Sequence, residues 1–300
     1  MNFQSDFVPI LAGAVAAMTP LLFAALGGLF TELTGMLNIA LEGLIALGAF
    51  FGVIGASVTG SLAAGAAIGV IASMAVALLY GEITLRLKAN EFITGLATNL
   101  LAAGLTVVLS QQLFGTKGVV PFDLPHLPVI TGALAGIPVL GPALFGQNVL
   151  TQLSWLAAFL AWVLIRRTPF GMRLRATGSN PKAVSALGLK PASYKLAAIL
   201  LSGAACGLAG SYLSLNLSAY VPNISSGRGW IALVAIYLGG RKSRGILGAC
   251  FVFALAESYS NYAQGVFRMP SDFMLAIPYA ATLIALVAGS IGARAAKRGS

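Results

Sequence analysis

The chain has 300 residues, of which 58% are hydrophobic and only 9% are charged, and its formal net charge is +10. Because soluble domains carry roughly 25% charged residues, this composition excludes an ordinary water-soluble protein. The two cysteines, Cys206 and Cys250, lie in apolar segments and show no spacing typical of a disulfide framework or a metal site. The composition predicts an all-α fold, a polytopic transmembrane helical bundle formed as one domain by residues 1–300.

Long apolar runs predict the membrane spans in chain order. Runs of about 20 apolar residues are typical of helices that cross a bilayer. A Pro-rich outer loop at about residues 115–147 cannot form one helix, and it separates the fourth span from the fifth. The predicted spans are Val8–Phe30, Met36–Ser57, Leu62–Gly81, Phe92–Phe114, Val149–Ile165, Leu196–Leu213, Gly245–Tyr262 and Phe273–Ile291. Together with broken or re-entrant segments, we expect eight to ten spans.

The positive charges predict the orientation of these spans. All but three of the 18 Lys and Arg residues fall in loops on one side, and the exceptions are Lys117, Arg228 and Arg268. The positive-inside rule places the basic side in the cytoplasm, together with the C-terminus. The N-terminal side stays open, because no Lys or Arg precedes Arg86. The charge therefore indicates a multi-pass protein of the plasma (inner) membrane and does not indicate a nucleic-acid partner.

Two Gly-rich, polar stretches interrupt the apolar pattern. They read LGGLFTELTG at Leu26–Gly35 and LGGRKSRG at Leu238–Gly245. The residues from Arg228 to Arg241 rise about 18 Å as a helix, against a hydrocarbon core of about 30 Å. We therefore expect the chain before Trp230 to dip below the outer surface as a broken helix. Paired interruptions of this kind are typical of the binding sites of transporters.

The early apolar stretch GMLNIALEG places Asn38 and Glu42 four residues apart, on one face of a helix. An ionisable group at bilayer depth costs about 2.5–3.5 kcal/mol on insertion scales, so it usually faces a cavity or a partner. Two interpretations stay open: these side chains line a substrate pathway, or they join helices, with Glu42 bound to a neighbouring hydroxyl or backbone group. Acids near span ends, including Glu32 and Glu91, are expected to be solvated. Further pathway candidates by residue type and depth are Thr98, Asn99, Asn216 and Trp230.

The longest cytoplasmic loop, residues 166–195, contains a predicted short helix from Pro181 to Leu187. Asn180 before Pro181 is a good helix start, and Gly188 is a good stop. The apolar strip of this helix consists of Ala183, Val184 and Leu187. A helix of this length is not stable alone, so it needs tertiary support or the groove of a partner. The alternative is an interfacial helix on the lipid surface. The narrow apolar strip and its lack of an aromatic residue argue against this alternative.

Five segments resemble ABC importer permeases of the ribose/branched-chain amino acid type. MRLRATGSNPKAVSALGL followed by KLAAILLSGAACGLAGSYLSL resembles their cytoplasmic loop and next helix. GMLNIALEG is similar to their Asn-Ile-x-x-Glu-Gly signature, GRGWIALVAIYLGG resembles a third signature segment, and PSDFMLAIPYAATLIALV resembles the last span. Within this family, ANEFITGLATN and LFGQN resemble the shorter permease of nucleoside uptake systems, which pairs with a longer, related permease.

The resemblance implies the partners and the mechanism. Two permease subunits form the pathway, an ABC ATP-binding subunit beneath each one hydrolyses ATP, and an external substrate-binding protein delivers a nucleoside or purine. The short loop helix is then the coupling helix that docks on the ATPase. The residues that the resemblance assigns to coupling are Gly178, Asn180, Pro181, Ala183, Val184, Leu187 and Gly188.

No enzyme site is visible in the sequence. The chain lacks a G-x-x-x-x-G-K-[ST] phosphate-binding motif and any nucleophile–base pattern, so we expect no catalytic residue, metal or cofactor here, with ATP on the partner subunit. The same-class alternative is a permease for a simple sugar such as ribose. A different-class alternative is an ion-coupled secondary transporter, in which the Glu42 carboxylate would couple to the ion.

Overall fold

A computed structural model describes residues 3–129 and 141–267, and the predicted last span and basic C-terminal tail lie outside these ranges. Within them the chain forms ten α-helices, a single π-helical turn at Gly141–Phe145, and two short strands. The helices are α1 (Phe3–Leu33), α2 (Leu41–Thr59), α3 (Leu62–Leu85), α4 (Glu91–Phe114), α5 (Val149–Arg167), α6 (Pro169–Ser179), α7 (Pro181–Ala186), α8 (Pro191–Leu217), α9 (Arg228–Leu238) and α10 (Ser243–Phe267). The strands are β1 (Val120–Pro121) and β2 (Ala219–Tyr220).

Six of these helices are long and apolar enough to cross a membrane, namely α1, α2, α3, α4, α5 and α8. They confirm an all-α, polytopic membrane fold. The predicted count of eight to ten spans is not reached within the described ranges. α9 is too short, and α10 contains a polar stretch from Glu257 to Tyr262 and is not among the six.

Helices α2, α3 and α8 pack with their backbones in contact, because small residues line the seams between them. A Cβ atom added to Gly48 of α2 would lie 2.7 Å from the Cα of Gly207 on α8. A Cβ atom on Gly203 of α8 would lie 2.6 Å from the Cβ of Ala77 on α3. The hydroxyl of Ser211 donates a hydrogen bond of 3.2 Å to the Gly48 carbonyl oxygen. Close approach of this kind favours helix association in a bilayer.

The early interruption lies later than the sequence predicts. α1 continues through Gly27 and Gly28, and the chain leaves helical geometry only at residues 34–40, before α2 begins. The two glycines serve packing instead: a Cβ atom on Gly27 would lie 2.9 Å from the Cβ of Ala205, and one on Gly28 would lie 2.7 Å from Cδ1 of Ile236. Residues 34–40, called the α1–α2 break below, therefore include most of the segment GMLNIALEG.

The late interruption before α9 is confirmed as a broken helix. α8 ends where Ser218 adopts a left-handed backbone with φ +48°, and β2 follows at once. β2 pairs antiparallel with β1 of the outer loop, which places Tyr220 opposite Val120. Turns then lead to Gly227, whose φ of +80° starts α9. The depth of this segment in the bilayer stays a prediction.

Candidate functional site

The amide of Asn99 on α4 holds the α1–α2 break from one side. Its Nδ2 donates to the carbonyl oxygen of Ile39 at 2.9 Å, and its Oδ1 accepts from the N–H of Gly43 at 2.8 Å. Glu91, at the start of α4, accepts a hydrogen bond of 3.1 Å from the N–H of Leu37. Glu91 is half-buried, and one of its carboxylate oxygens is used by this contact. These contacts supply the partners that non-helical backbone needs inside an apolar bundle.

Asn38 is buried within the break and binds in two directions. Its Oδ1 accepts from the N–H of Ala40 at 3.0 Å, and its Nδ2 donates to the hydroxyl of Ser202 on α8 at 2.9 Å. The hydroxyl of Tyr80 on α3 donates to the carbonyl oxygen of Leu37 at 3.4 Å. The break is thus tied to α3, α4 and α8 by side-chain hydrogen bonds.

The carboxylate of Glu42 binds the beginning of α9. Its Oε1 accepts from the N–H of Gly227 and its Oε2 from the N–H of Gly229, both at 2.7 Å. These N–H groups have no partner inside α9, and a negative charge at this end also interacts favourably with the helix dipole. Of the two open interpretations, the helix-joining contact is present in the structure. A contact of Glu42 with a transported molecule stays a prediction.

The other end of α9 is bound by Glu32 at the end of α1. Its Oε1 lies 2.8 Å from Nη2 of Arg241, and its Oε2 accepts from the Tyr237 hydroxyl at 3.2 Å. The side chain of Glu32 is only 11% exposed, so the prediction that this acid is solvated is wrong. Since Glu32 belongs to LGGLFTELTG and Arg241 to LGGRKSRG, the two Gly-rich stretches of the sequence are in direct contact.

An ion pair completes the attachment of α9. Nη2 of Arg228, at the first position of α9, lies 2.5 Å from Oε1 of Glu257 on α10. Both side chains are mostly buried, at 19% and 25% exposure. A charge in such a position is tolerated when a partner compensates it. α9 is therefore fastened to α1, α2 and α10 by charged side chains.

The length of α9 sets the distance between the Glu42 and Glu32 contacts. The Glu42 and Glu32 contacts lie at opposite ends of this 11-residue helix. At 1.5 Å per residue they are about 15 Å apart, which is about half of a hydrocarbon core of about 30 Å. Glu32 and Arg241 lie at the end of the bundle that also carries Arg166, which we call the basic end. That Glu42 lies near the middle of the bilayer stays a prediction.

The remaining predicted pathway residues divide into two groups. Trp230 lies in the first turn of α9, next to the Glu42 contact, and is exposed. Thr98 is buried on α4 and its hydroxyl donates to the carbonyl oxygen of Thr94 at 2.8 Å. Asn216 lies apart, at the exposed end of α8, where its Oδ1 accepts from Asn148 at 3.3 Å. The structure thus brings together four of the six predicted pathway residues: Asn38, Glu42, Asn99 and Trp230. Thr98 is one position from Asn99 in α4, and Asn216 lies elsewhere.

The predicted coupling helix exists as α7 and is capped as expected. Oδ1 of Asn180 accepts from the N–H of Ala183 at 3.1 Å, and Pro181 occupies the first helical position. Gly188 follows the helix with φ +74°, and its N–H donates to the carbonyl oxygen of Ser185 at 3.0 Å. This arrangement is a Schellman-type end, which needs a residue that tolerates positive φ.

The predicted apolar strip of α7 is wrong in one respect. Val184 is 3% exposed and packs inward, whereas Leu187 is 77% exposed and Ala183 is also exposed. The reason is that a six-residue helix needs tertiary support, and Val184 provides it. The surface that α7 offers to a partner therefore contains Ala183 and Leu187 but not Val184.

Gly178 of α6 connects this loop to the α1–α2 break. Its Cα lies 3.4 Å from the position of a Cβ on Gly35, and a Cβ on Gly178 itself would overlap the carbonyl oxygen of Leu33. Gly35 has φ +76°, so both glycines allow a close backbone contact that other residues would prevent. The structure therefore gives Gly178 an internal contact, in addition to its place in the predicted coupling loop.

Among the described residues, no three His, Cys, Asp or Glu side chains lie close enough together to hold a metal ion. Cys206 and Cys250 are free and buried. The expectation that this chain carries no metal, cofactor or catalytic residue stays a prediction.

Comparison with known proteins identifies the family. Residues 10–287 match the family described as branched-chain amino acid transport system / permease component. The chain belongs to this permease family. It is 33% identical over 302 residues to the guanosine ABC transporter permease protein NupQ of Bacillus subtilis, covering 96% of this chain and 94% of that protein.

Two further relatives cover most of the chain. The nucleoside ABC transporter permease protein NupC of Lactococcus lactis is 31% identical over 95% of this chain and 93% of its own length. The putative glucose ABC transporter permease protein TsgC13 of Haloferax volcanii is 31% identical over 86% of this chain and 78% of its own length. The predicted resemblance to this family and to nucleoside permeases is confirmed. Since these relatives are transport permeases, the family assignment indicates a transport subunit and not an enzyme.

Proposed function

We propose that this chain is the membrane permease subunit of an ATP-driven importer of nucleosides or related purines. The observation that carries the proposal is the identity of 33% and 31%, over nearly the whole chain, to a guanosine permease and a nucleoside permease. In this proposal ATP is bound and hydrolysed on a separate ABC subunit. A second, related permease completes the pathway, and an external substrate-binding protein delivers the substrate.

A continuous set of contacts supports a coupling role for the loop. α7 offers Ala183 and Leu187 to a partner, and α6 contacts the end of α1 through Gly178. The α1–α2 break follows directly, and Glu42 beyond it holds α9. A displacement of the loop by an ATPase would therefore reach the middle of the bundle through packed groups that are in contact at every step. Coupling between distant sites needs such a physical element with two arrangements.

The charge distribution supports an orientation. In this proposal the protein lies in the inner membrane, with its basic end in the cytoplasm. α1 then begins on the outer side and ends beside Arg241. α10 then starts at the basic end and runs outward. One further span, at the predicted Phe273–Ile291, would return the C-terminus to the cytoplasm.

The residues near the α1–α2 break are suited to weak, transient binding of a nucleoside. The indole of Trp230 is 41% exposed and offers a flat surface on which a base can stack. The amides of Asn38 and Asn99 are already bound to backbone groups and to Ser202, so they are expected to shape the site more than to grip the cargo. A permease that receives its substrate from a binding protein needs no tight site of its own.

A simple sugar is the second candidate substrate. The relative described as a putative glucose permease, 31% identical over 86% of this chain, favours it. An ion-coupled secondary transporter is less well supported, because both carboxylate oxygens of Glu42 accept hydrogen bonds from backbone N–H groups.

The proposal is tested by purifying the chain with the subunits encoded beside it and measuring ATP hydrolysis in nanodiscs. Stimulation by the binding protein loaded with guanosine or adenosine, but not with ribose, is expected. Stimulation by ribose or glucose alone would replace the nucleoside with the sugar alternative. If no ATPase copurified with the chain, the hypothesis of an ATP-driven importer would be contradicted.

A further inference from the structure

A cavity of about 670 Å³ lies at the basic end, between the ends of α1, α5 and α6 and the connection from α9 to α10. It is separate from the α1–α2 break and from the outward surface of α7. Six cationic side chains line it: Arg166, Arg167, Arg175, Arg241, Lys242 and Arg244.

The positive charge of this cavity is largely uncompensated. In the part of the chain that the structure describes, one carboxylate forms an ion pair with its lining residues, that of Glu32 with Arg241. The other two ion pairs in the described ranges involve Glu82 and Glu257, which do not line the cavity. Like charges held near one another repel, and a bound anion relieves that repulsion. The cavity therefore has the electrostatics of an anion site.

An aromatic side chain arranges two of the cations. The guanidinium groups of Arg167 and Arg244 lie 5.7 Å and 5.3 Å from the ring centroid of Trp162, within the range of cation–π interactions. Arg167 belongs to α5 and Arg244 to α10, so Trp162 brings cations from two helices to one place. Arginine pairs are well suited to a phosphate, because each can donate two parallel hydrogen bonds to it.

The cavity also adjoins an apolar strip on a membrane-spanning helix. The ring of Phe159 lies 6.1 Å from that of Trp162 and is 58% exposed. Leu156 and Leu160 on the same helix are exposed as well. Trp is typical of the headgroup level of a bilayer, with apolar side chains toward the core. A ligand that used both features would need a phosphate and hydrocarbon chains.

We propose that this cavity binds the headgroup phosphate of an anionic phospholipid, whose acyl chains lie along the exposed side of α5. Basic pockets between transmembrane helices bind such headgroups in other membrane proteins. A free phosphate would use the cations alone, whereas a phospholipid also places acyl chains against the strip of Leu156, Phe159 and Leu160. An acidic surface of a partner protein would not need that strip either. The bound lipid would bridge α5, α6 and the α9–α10 connection.

The test is native mass spectrometry of the complete transporter in detergent, titrated with dioleoylphosphatidylglycerol. The variant is Arg167→Gln/Arg244→Gln, and the matched control is Lys88→Gln/Lys190→Gln, which removes two exposed cations outside the cavity. Since each cation near a lipid surface contributes about 1 kcal/mol, the cavity variant should bind phosphatidylglycerol roughly 10- to 30-fold more weakly. The control should bind it as the parent does. Trp162→Leu, which leaves the net charge unchanged, should also weaken binding.

Four outcomes would overturn the proposal. Binding of dioleoylphosphatidylcholine equal to that of phosphatidylglycerol would remove the role of charge. Displacement of the lipid by an equal concentration of inorganic phosphate would indicate a free-anion site. Unchanged lipid binding in the cavity variant, shown by circular dichroism to be folded, would place the lipid elsewhere. Loss of the ATPase subunit from that variant with lipid binding intact would identify the cavity as a protein contact.

Discussion

Glu42 of α2 accepts a hydrogen bond from the N–H of Gly229 in the first turn of α9, at 2.7 Å, although 187 positions separate them. The second carboxylate oxygen binds the N–H of Gly227 at the same distance. The carboxylate that looks anomalous in an apolar signature is thus the cap of a short helix. This contact joins the early and the late part of the chain.

The cap predicts a graded response to substitution at Glu42. Glu42→Gln keeps one acceptor oxygen, but its NH2 group faces the other backbone N–H and the charge that interacts with the helix dipole is lost, so a loss of about 1–3 kcal/mol is expected. Glu42→Ala leaves two backbone N–H groups without a partner and should cost about 2–5 kcal/mol. Thermal unfolding of the purified permease in detergent measures both. If Glu42→Gln retained full stability but abolished uptake, Glu42 would contact the cargo instead.

A methyl group at position 229 should separate α2 from α9. The Cβ atom of Gly229→Ala would lie 2.5 Å from the backbone nitrogen of Glu42, so the helices must move apart and we expect a loss of about 1–3 kcal/mol. Gly248→Ala in α10 is the matched control, because a Cβ atom there meets nothing within 4 Å. The control should be neutral or stabilising by about 0.5–1 kcal/mol. Equal melting temperatures for the two variants would argue against the close contact.

The ion pair between Arg228 and Glu257 should show strong coupling. Removing either partner alone, as in Arg228→Met or Glu257→Met, leaves a mostly buried charge and should cost about 3 kcal/mol or more. The double variant should recover part of this loss, because it leaves no uncompensated charge. A double-mutant cycle on unfolding free energies measures the coupling. Additive losses would mean that the two side chains act independently.

The two sides of α7 should respond differently. Leu187→Glu alters the exposed surface, so substrate-stimulated ATP hydrolysis should fall severalfold while the melting temperature stays unchanged. Val184→Ala removes a buried side chain and should lower stability by about 0.5–1.5 kcal/mol. Hydrolysis and thermal unfolding are measured on the same preparations. A stability loss in Leu187→Glu with normal coupling would show that this surface packs within the permease.

Features of the chain that depend on neighbouring residues were predictable from the sequence. The cap at Asn180, the proline at position 181 and the stop at Gly188 were correct, because capping involves backbone groups only a few residues away. The apolar spans were equally clear, since their length is set by the thickness of the bilayer.

Features that depend on distant contacts were not predictable. The stretch LGGLFTELTG predicts an interruption, but its composition does not show where the helix ends, and whether Gly27 and Gly28 end a helix or receive another helix depends on what faces them. The burial of Glu32 could not be predicted, because its partner Arg241 is 209 positions away in the sequence although it is adjacent in space. The sequence places Val184 in one apolar strip with Ala183 and Leu187, because it does not state which side of α7 packs inward.

The central claim, ATP-driven import of a nucleoside through this permease, is tested most directly by uptake into proteoliposomes. The vesicles hold the complete complex, and radiolabelled guanosine is added outside with the binding protein. Uptake should require ATP at the cytoplasmic face, should stop with a non-hydrolysable analogue, and should be unaffected when ion gradients are dissipated. Guanosine uptake that continued without ATP and followed an imposed proton or sodium gradient would contradict the account.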